Sequence, residues 1–230
     1  MKRSEINAII RNAIAFFNDC SFRLPAFAYW TADDWRSKGK EADGIRQGRL
    51  GWDITDYGYN DFYAKGLLLF TIRNGVKGTS RNYAEKIMVV EEEQVTPMHF
   101  HVEKSEDIIN RGNGNLILKI FNADKHGKLA QTKVKVMIDG VMHICKAGGT
   151  VCLAPGDSIA FTPRIYHTFF GQKGAGKVLV GEVSGVNDDT SDNYFLEPVG
   201  RFPAIEEDEP PLYPLCTETK SKRTHFKTKG

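Results

Sequence analysis

The sequence contains few cysteines and no long apolar segment. Its four cysteines form no Cys-x-x-Cys pair and are too few to staple a chain of 230 residues, so we expect buried free thiols. Apolar runs are only a few residues long, as at 67–70, whereas a membrane-spanning helix needs ~20 apolar residues. Polar residues interrupt the N-terminal stretch, which argues against a signal peptide. We therefore expect a cytoplasmic protein with no membrane partner.

An excess of charge of one sign is also missing. Thirty-one Lys and Arg residues balance 29 Asp and Glu residues, and the small basic excess lies in residues 220–229. No interior basic face is visible, so we expect no nucleic-acid partner. The hydrophobic fraction of 41% and the charged fraction of 26% are those of an ordinary globular chain. A chain of 230 residues is long enough for one large domain or two small ones.

The first 50 residues carry the patterns of helices. Apolar residues recur at helical spacing over 4–19, behind Ser4 as a candidate N-cap. Thr31 and Asp34 fit a capping box that opens a second, short helix. We expect residues 1–50 to form a helical extension packed on the rest of the fold.

Between residues 51 and 205, short β-branched or aromatic runs alternate with Gly, Asn and Asp, which is typical of an all-β sandwich or barrel. The pair Asp139-Gly140 predicts a two-residue hairpin. We expect one antiparallel barrel over 51–205 and then a C-terminal segment, 206–230, whose last part is disordered. The predicted strands cover 66–73, 84–93, 97–102, 106–110, 115–122, 132–138, 141–145, 150–153, 158–162, 166–170 and 177–184.

Three histidines and one glutamate are candidate ligands of a metal ion. His99 and His101 stand one residue apart in a predicted strand, so both imidazoles lie on one face. Glu106 follows a short polar turn that brings it back beside them. His167 lies on a distant strand that closes the barrel. Neutral imidazoles and a carboxylate that converge in this way suit a divalent cation.

Each of these residues also has a simpler interpretation. Glu106 alone could be a solvated edge carboxylate, and His167 alone a packed core residue; the four together favour a metal site. Three imidazoles and one carboxylate leave two open positions on an octahedral ion, which suits Mn²⁺, Fe²⁺, Co²⁺ or Ni²⁺ better than tetrahedral Zn²⁺. The other histidines are expected to be structural: His126, His143 and His225.

The ligand pattern resembles the two motifs of the cupin family. His-x-His followed by Glu matches the core of the first motif, and Gly156 followed by Pro163-x3-His167 matches the second. The first motif lacks its leading glycine, and its closing glycine, Gly112, stands one position early. The resemblance implies a double-stranded β-helix, or jelly-roll barrel, with N-terminal helices.

Three longer blocks accompany the ligands: GWDITDYG at 51–58, HFHVEKSEDIINRG at 99–112 and GEVSGVNDDTSDN at 181–193. With the N-terminal helix pair, they make residues 1–215 similar to the D-lyxose isomerase family of sugar-isomerising cupins. The resemblance implies a monosaccharide substrate and the interconversion of D-lyxose with D-xylulose, and of D-mannose with D-fructose. It also implies a homodimer and a single Mn²⁺, with Co²⁺ or Fe²⁺ as alternatives.

Aldose–ketose isomerisation through a cis-enediol moves a proton between C2 and C1, which requires a general base near the metal. Glu182 is the first candidate for this base, with a raised pKa. Val178, Val180, Glu182 and Ser184 share one face of a predicted strand, and a carboxylate inside a barrel requires a reason. If that face is exterior instead, Glu182 is merely solvated.

Further side chains are candidates for contact with the sugar. Lys104 would hydrogen-bond substrate oxygens or act as an acid; otherwise it is a surface lysine in a turn. Asp192 would bind sugar hydroxyls or serve as a second acid or base, or else cap a loop. Phe161 and Arg201 are weaker candidates.

Two other functions are alternatives. An iron cupin dioxygenase needs the same four ligands, with Fe²⁺ and O₂, but has no use for a base beside the metal. A non-catalytic sugar-binding or sensor cupin gains nothing from open coordination positions, and the chain carries no DNA-binding appendage. We therefore favour the metal-dependent isomerase.

Overall fold

The computed structural model describes residues 1–188, 191–200 and 202–219. Within these ranges the α-helices are α1 (Arg3–Asp19), α2 (Ala32–Ser37) and α3 (Asp43–Gln47), with 3₁₀ turns at Ala26–Tyr29 and Lys40–Ala42. None of the helices in the described ranges is long and apolar enough to cross a membrane. The strands are β1 (Gly51–Thr55), β2 (Leu67–Asn74), β3 (Ala84–Val90), β4 (His99–His101), β5 (Glu106–Asn113), β6 (Leu116–Ala123), β7 (Leu129–Ala130), β8 (Val134–Ile138), β9 (Val141–Cys145), β10 (Gly149–Leu153), β11 (Ser158–Phe161), β12 (Ile165–Gly171), β13 (Val178–Ser184) and β14 (Asn193–Phe195).

Two curled antiparallel sheets form the body of the protein. One has eight strands in the order β1-β2-β3-β13-β5-β11-β8-β9; the other follows β10-β6-β12-β4-β14, with β7 paired to β6. The hairpin predicted at Asp139-Gly140 joins β8 to β9, and the positive φ angles of 47° and 80° are those of a type I′ turn. The prediction of an all-β antiparallel barrel with N-terminal helices is confirmed.

The inward faces of the two sheets enclose an apolar core. Buried and less buried residues alternate along β6, β8 and β10 because successive side chains point to opposite faces of a strand. The core continues along β13, where Val178 and Val180 are buried and are followed on the same face by Glu182 and Ser184, also buried. The face predicted to point into the barrel therefore does so, and it carries a carboxylate to the interior.

A second apolar cluster joins the helical extension to the outer face of β1, β2 and β3. The ring of Trp52 stacks on Phe17 of α1 at a centroid distance of 6.3 Å, and its Nε1 donates to the carbonyl of Ala28 at 2.8 Å. Burial of this apolar face stabilises the extension on the barrel. The cluster also includes Ile6, Ile10, Leu68, Phe70 and Ile87.

The two predicted helix starts have different outcomes. At α2, the backbone N–H of Asp34 donates to Thr31 Oγ1 at 3.2 Å and the backbone N–H of Thr31 donates to Asp34 Oδ2 at 2.9 Å, so the capping box is confirmed. The prediction of Ser4 as the N-cap of α1 is wrong, because Lys2 occupies that position. Ser4 lies in the first turn, and its Oγ donates to Asp208 Oδ2 at 2.6 Å.

Residues 202–219 lie against α1. The buried guanidinium of Arg3 donates to Glu207 at 2.7 and 2.9 Å and also to Glu218. The side-chain amide of Asn7 donates to the carbonyl of Pro210 at 2.9 Å. These contacts hold the C-terminal segment to the helical extension. The disorder predicted for the last part of the segment concerns residues 220–230, which lie outside the described ranges.

Three strands were not predicted: β1, β7 and β14. β7 and β14 have two and three residues, too few to display a period. β1 is buried at all five positions, so it shows no alternation.

The cysteines are free, but only Cys216 is buried; Cys20 and Cys145 are half-buried and Cys152 is exposed. The prediction of buried thiols is therefore wrong for three of the four.

Candidate metal centre and active site

Four side chains from three strands converge inside the barrel. His99 and His101 lie on β4, Glu106 begins β5, and His167 lies on β12 as the direct cross-strand partner of His99. One ring nitrogen from each of the three histidines lies within 4.8 Å of the others. The antiparallel pairing of β4 with β12 and the period of two along β4 therefore bring three imidazoles to one point.

The second ring nitrogen of each histidine faces an acceptor. Nδ1 of His99 lies 2.9 Å from the carbonyl oxygen of Pro97, and Nδ1 of His167 lies 3.1 Å from that of Ile165. A nitrogen that faces a carbonyl must carry the proton, which leaves the lone pair on Nε2. This outer contact fixes the tautomer and ring orientation of metal-binding histidines.

Glu106 completes the cluster. Its Oε2 lies 3.0 Å from Nε2 of His101, and its Oε1 lies 2.9 Å from Nε2 of His167. Burial acts to raise the pKa of Glu106, but the neighbouring His101, Lys104 and His167 outweigh it and hold that pKa well below its usual range. The carboxylate is therefore charged.

The donor set fits a divalent cation. Burial, together with repulsion from the other two histidines, holds the pKa of His99 well below its usual value, so this imidazole is neutral, as a metal ligand must be. Glu106 Oε1, which faces the cluster, is buried without an aligned hydrogen bond in the described part of the chain. Because buried polar atoms normally have partners, unsatisfied atoms at a three-histidine cluster are expected where an ion belongs.

The predicted base stands beside the cluster. Lys104 Nζ donates to Glu182 Oε1 at 2.8 Å and lies 3.2 Å from Glu106 Oε2, so one ammonium bridges the predicted base and a predicted ligand. Ser184 Oγ also donates to Glu182 Oε1, at 2.9 Å. Lys104 is buried, and the interpretation of this residue as a surface lysine does not hold.

The raised pKa expected for Glu182 is wrong for this structure. Burial does act to raise it, but the ammonium groups of Lys104 and Lys86 outweigh burial and lower the pKa to about 2. Burial acts to lower the pKa of Lys104, but Glu182 and Glu106 outweigh it and raise that pKa above its usual value. The carboxylate is therefore ionised, as a base must be, and it needs to lose part of this stabilisation before it accepts a proton.

Sequence reasoning missed Lys86. It lies on β3 directly opposite Glu182 on β13, and its Nζ is 3.1 and 3.2 Å from the two carboxylate oxygens. The alternation along β3 could have revealed it, because Lys86 shares its face with Met88 and Val90, both buried in the barrel core. A lysine on such a face requires a buried anion.

Two further candidates, Asp192 and Phe161, do not line the space beside the cluster. Asp192 stands behind His101, with Oδ2 3.3 Å from Nδ1, and its Oδ1 accepts the backbone N–H of Glu103 at 2.7 Å. Phe161 is buried in the core and stacks on His167, with centroids 4.5 Å apart and planes 9° apart. Arg201 lies outside the described residues. Of the histidines expected to be structural, His126 and His143 are exposed and are not part of the cluster, and His225 lies outside the described residues.

The space in front of these groups is half polar and half apolar. The four ligand residues, Lys104, Lys86 and Glu182 form its polar side. The rest of the lining is apolar, and it suits the carbon skeleton of a small polyhydroxylated molecule whose oxygens face the polar groups. The apolar walls are formed by Leu67, Leu69, Met88, Ile108, Phe169 and Phe195.

The fold is that of a cupin-type barrel. It is similar to the crystal structure of the L-ribose isomerase of Geodermatophilus obscurus, with a TM-score of 0.57 and 14% identity over 90% of this chain and 98% of that chain. A similar match is found with the L-ribose isomerase of Acinetobacter sp. DL28 in complex with L-ribose, with a TM-score of 0.56, 15% identity and the same coverage. At these identities the likeness shows the fold alone.

The sequence comparisons define the family. The family model of D-lyxose isomerase matches residues 1–219, so the chain belongs to the D-lyxose isomerase family. It is 50% identical to the D-lyxose/D-mannose isomerase of Serratia proteamaculans over 95% of this chain and 97% of that protein. It is 48% identical to the protein of the same name from Escherichia coli O157:H7, over 97% and 100%. The chain is therefore an isomerase, and the dioxygenase and sensor alternatives are not supported.

Proposed function

We propose that this enzyme interconverts D-lyxose with D-xylulose, and D-mannose with D-fructose, by proton transfer through a cis-enediol at a single divalent metal. The observation that carries the proposal is the position of Glu182, a buried carboxylate joined by one lysine to a ligand of the histidine cluster. The two relatives at 48% and 50% identity, both named D-lyxose/D-mannose isomerase, support the choice of sugars.

His99, His101, Glu106 and His167 would hold the metal. When bound, Mn²⁺ would polarise the carbonyl of the sugar as a Lewis acid and offset the negative charge of the enediolate. Neutral imidazoles with one carboxylate suit Mn²⁺, and they also admit Co²⁺ or Fe²⁺.

The protein's own groups would transfer the proton. In the aldose-to-ketose direction, Glu182 takes the proton from C2 while Lys104, as the acid, supplies a proton to O1, which gives the cis-enediol. The carboxylic acid at Glu182 then returns a proton to C1 while O2 gives its proton back to Lys104, which gives the ketose. Lys104 donates a hydrogen bond to a sugar oxygen and gives up its contact with Glu182, which raises the basicity of that carboxylate at the moment it is needed. Asp192 fixes the ring of His101 from behind.

The test is isomerisation in D₂O. Purified protein loaded with Mn²⁺ is incubated with D-lyxose and, in parallel, with D-mannose, and the products are followed by NMR. Ketose with deuterium at C1 is the expected result, because a carboxylic acid exchanges with solvent before it returns a proton. Ketose without deuterium would contradict proton transfer by an exchangeable Glu182, and absence of ketose from both sugars would contradict the proposed function.

We also propose that the enzyme acts on free monosaccharides as a homodimer, as the family resemblance implies, and that it does so in the cytoplasm, because polar residues interrupt its N-terminal stretch. Sedimentation at micromolar concentration gives the oligomeric state, and a monomer there would contradict the dimer.

A further inference from the structure

Glu182 is held from two sides by lysines with different surroundings. Lys104 comes from the turn before β5, and its ammonium lies between Glu182 and the ligand Glu106. Lys86 comes from the middle of β3, and its ammonium contacts both oxygens of Glu182 and the Oδ1 of Asn187, at 2.8 Å. Of the two lysines, Lys104 alone contacts Glu106. Lys86 lines the same space, but its acceptors are Glu182 and Asn187, neither of which belongs to the histidine cluster.

The backbone of Asn187 is held in turn by hydrogen bonds to the side chain of Asn74. Its backbone N–H donates to Oδ1 of Asn74 at 2.9 Å, and Nδ2 of Asn74 donates back to the carbonyl of Asn187 at 3.2 Å. The side-chain amide of Asn74 thus pairs with both backbone groups of one residue, as a neighbouring strand would. Nδ2 of Asn74 also donates, at 3.3 Å, to the carbonyl of Gly48, the C-cap residue that follows α3. A continuous series of hydrogen bonds therefore runs from the helical extension to the base.

We propose that Lys86, held in place by Asn187 and Asn74, is a positioning residue that fixes the carboxylate of Glu182 toward the sugar carbons while Lys104 turns to the substrate. This inference rests on the proposed role of Glu182 as the base. It assigns different tasks to two lysines that contact the same carboxylate. Lys104 exchanges partners during turnover, and Lys86 does not.

The structural reason is geometric. A glutamate on a strand has three side-chain torsions, and a base that serves two adjacent carbons has to stay aligned with both. Two contacts from one ammonium to the two carboxylate oxygens fix the plane of the carboxylate, and the amide of Asn187 fixes that ammonium. A misplacement of about 1 Å in a catalytic group costs about 100-fold in rate, so loss of Lys86 is expected to reduce kcat far more than it changes KM.

The test compares Lys86→Met, Asn187→Ala and the double variant with wild-type enzyme. We expect Lys86→Met to lower kcat by about 10- to 100-fold, with KM within about twofold of wild type and unchanged manganese content. Asn187 touches neither Glu182 nor a metal ligand, so Asn187→Ala should lower kcat by a smaller factor with the same constancy of KM. Because Asn187 acts through Lys86, the double variant should be no slower than Lys86→Met alone.

The control is Lys135→Met, which removes an exposed lysine from strand β8 and should leave every parameter at its wild-type value. A wild-type kcat in both single variants would overturn the proposal. A rise in KM at constant kcat would show direct sugar binding by Lys86, and loss of manganese would show a structural role; either overturns it. Multiplicative effects in the double variant would also overturn it, because Asn187 would then act independently.

The design separates the two proposals. If wild-type enzyme forms no ketose, the proposed function fails before any variant is compared. If wild-type enzyme forms deuterated ketose but the variants behave like Lys135→Met, only the positioning role fails. If Lys86→Met does not fold, Asn187→Ala decides the matter alone, because Asn187 is only half-buried and its removal leaves the barrel core intact.

Discussion

Asp192 stands directly behind His101, with its Oδ2 3.3 Å from Nδ1 of the imidazole. The two residues meet because β14 pairs with β4, which makes Asn193 the cross-strand partner of His101. Burial acts to lower the pKa of His101, but Glu106 and Asp192 outweigh it and raise that pKa. Asp192 therefore acts on the ring from the side opposite the cluster, as the outer carboxylate of a carboxylate–histidine–metal arrangement does.

Replacement of Asp192 by alanine should weaken metal binding without removing a ligand. We expect Asp192→Ala to raise the dissociation constant for Mn²⁺ by about 10- to 100-fold, the usual cost of losing such an outer partner. The measurement is titration of metal-free protein with Mn²⁺. Glu197→Ala removes an exposed carboxylate from the same stretch of chain and is the matched control. Wild-type affinity in Asp192→Ala would show that the contact with His101 has no effect on the metal.

Removal of the metal should destabilise the protein as well as inactivate it. The cluster then retains a buried carboxylate and three imidazoles with no ion between them, so the folded state loses the free energy of binding. At a Mn²⁺ concentration about 100-fold above the dissociation constant, that contribution is about 2.7 kcal/mol. We expect a chelator to lower the melting temperature and abolish turnover, and excess Mn²⁺ to restore both.

His167→Ala extends the same measurement to a single ligand. This variant should bind little metal, and its melting temperature should not respond to the chelator. Full metal content in this variant would exclude His167 from the ligand set.

Glu182→Gln should separate metal binding from turnover. Glutamine keeps the shape of the side chain but cannot accept the proton, so we expect kcat to fall by about 10²- to 10⁴-fold. Metal content should stay at the wild-type level because Glu182 is not a ligand. Ser184→Ala, which removes one hydrogen bond to Glu182, should cost less than about tenfold. A wild-type rate in Glu182→Gln would assign the base to another residue.

Arg3 should matter for stability and not for catalysis. Its guanidinium is buried, although Glu207 is largely exposed and Glu218 only partly buried. Loss of charged hydrogen bonds of this kind costs about 2 kcal/mol, which we expect for Arg3→Met in urea denaturation. Arg11→Met, at an exposed arginine 4.0 Å from Glu209, is the control and should change stability by less than about 0.5 kcal/mol. Equal effects of the two would show that the C-terminal segment adds nothing through Arg3.

The sequence was sufficient for eleven of the fourteen strands in the described residues, and for the convergence of His99, His101 and Glu106, because both follow from local patterns. An alternation of two places His99 and His101 on one face, and a single turn returns the chain to Glu106. The position of Lys86 opposite Glu182 depends instead on the pairing of β3 with β13, and these two residues are 96 positions apart in the sequence. No local pattern contains that register.

The same limit applies to other parts of the site. Asp192 was expected either to contact the sugar or to cap a loop, and the structure places it behind His101; the neighbouring strand β14 has only three residues, so no periodic pattern predicts this position. The pKa of Glu182 was expected to rise because burial alone was considered; the two lysines that lower it come from elements far away in sequence. Ser4 was assigned as a cap, although its partner, Asp208, lies 204 residues away.

The cross-strand pairing of His99 with His167 makes assembly of the metal centre a test of strand register. A slip of one residue between β4 and β12 would turn one imidazole to the opposite face of the sheet. A chain that folds with the wrong register therefore cannot capture the ion, and it forgoes the stabilisation that capture supplies. During refolding, metal binding stabilises only the barrel in which β4 and β12 pair in the correct register. The rate at which metal affinity returns therefore measures the rate at which these two strands pair.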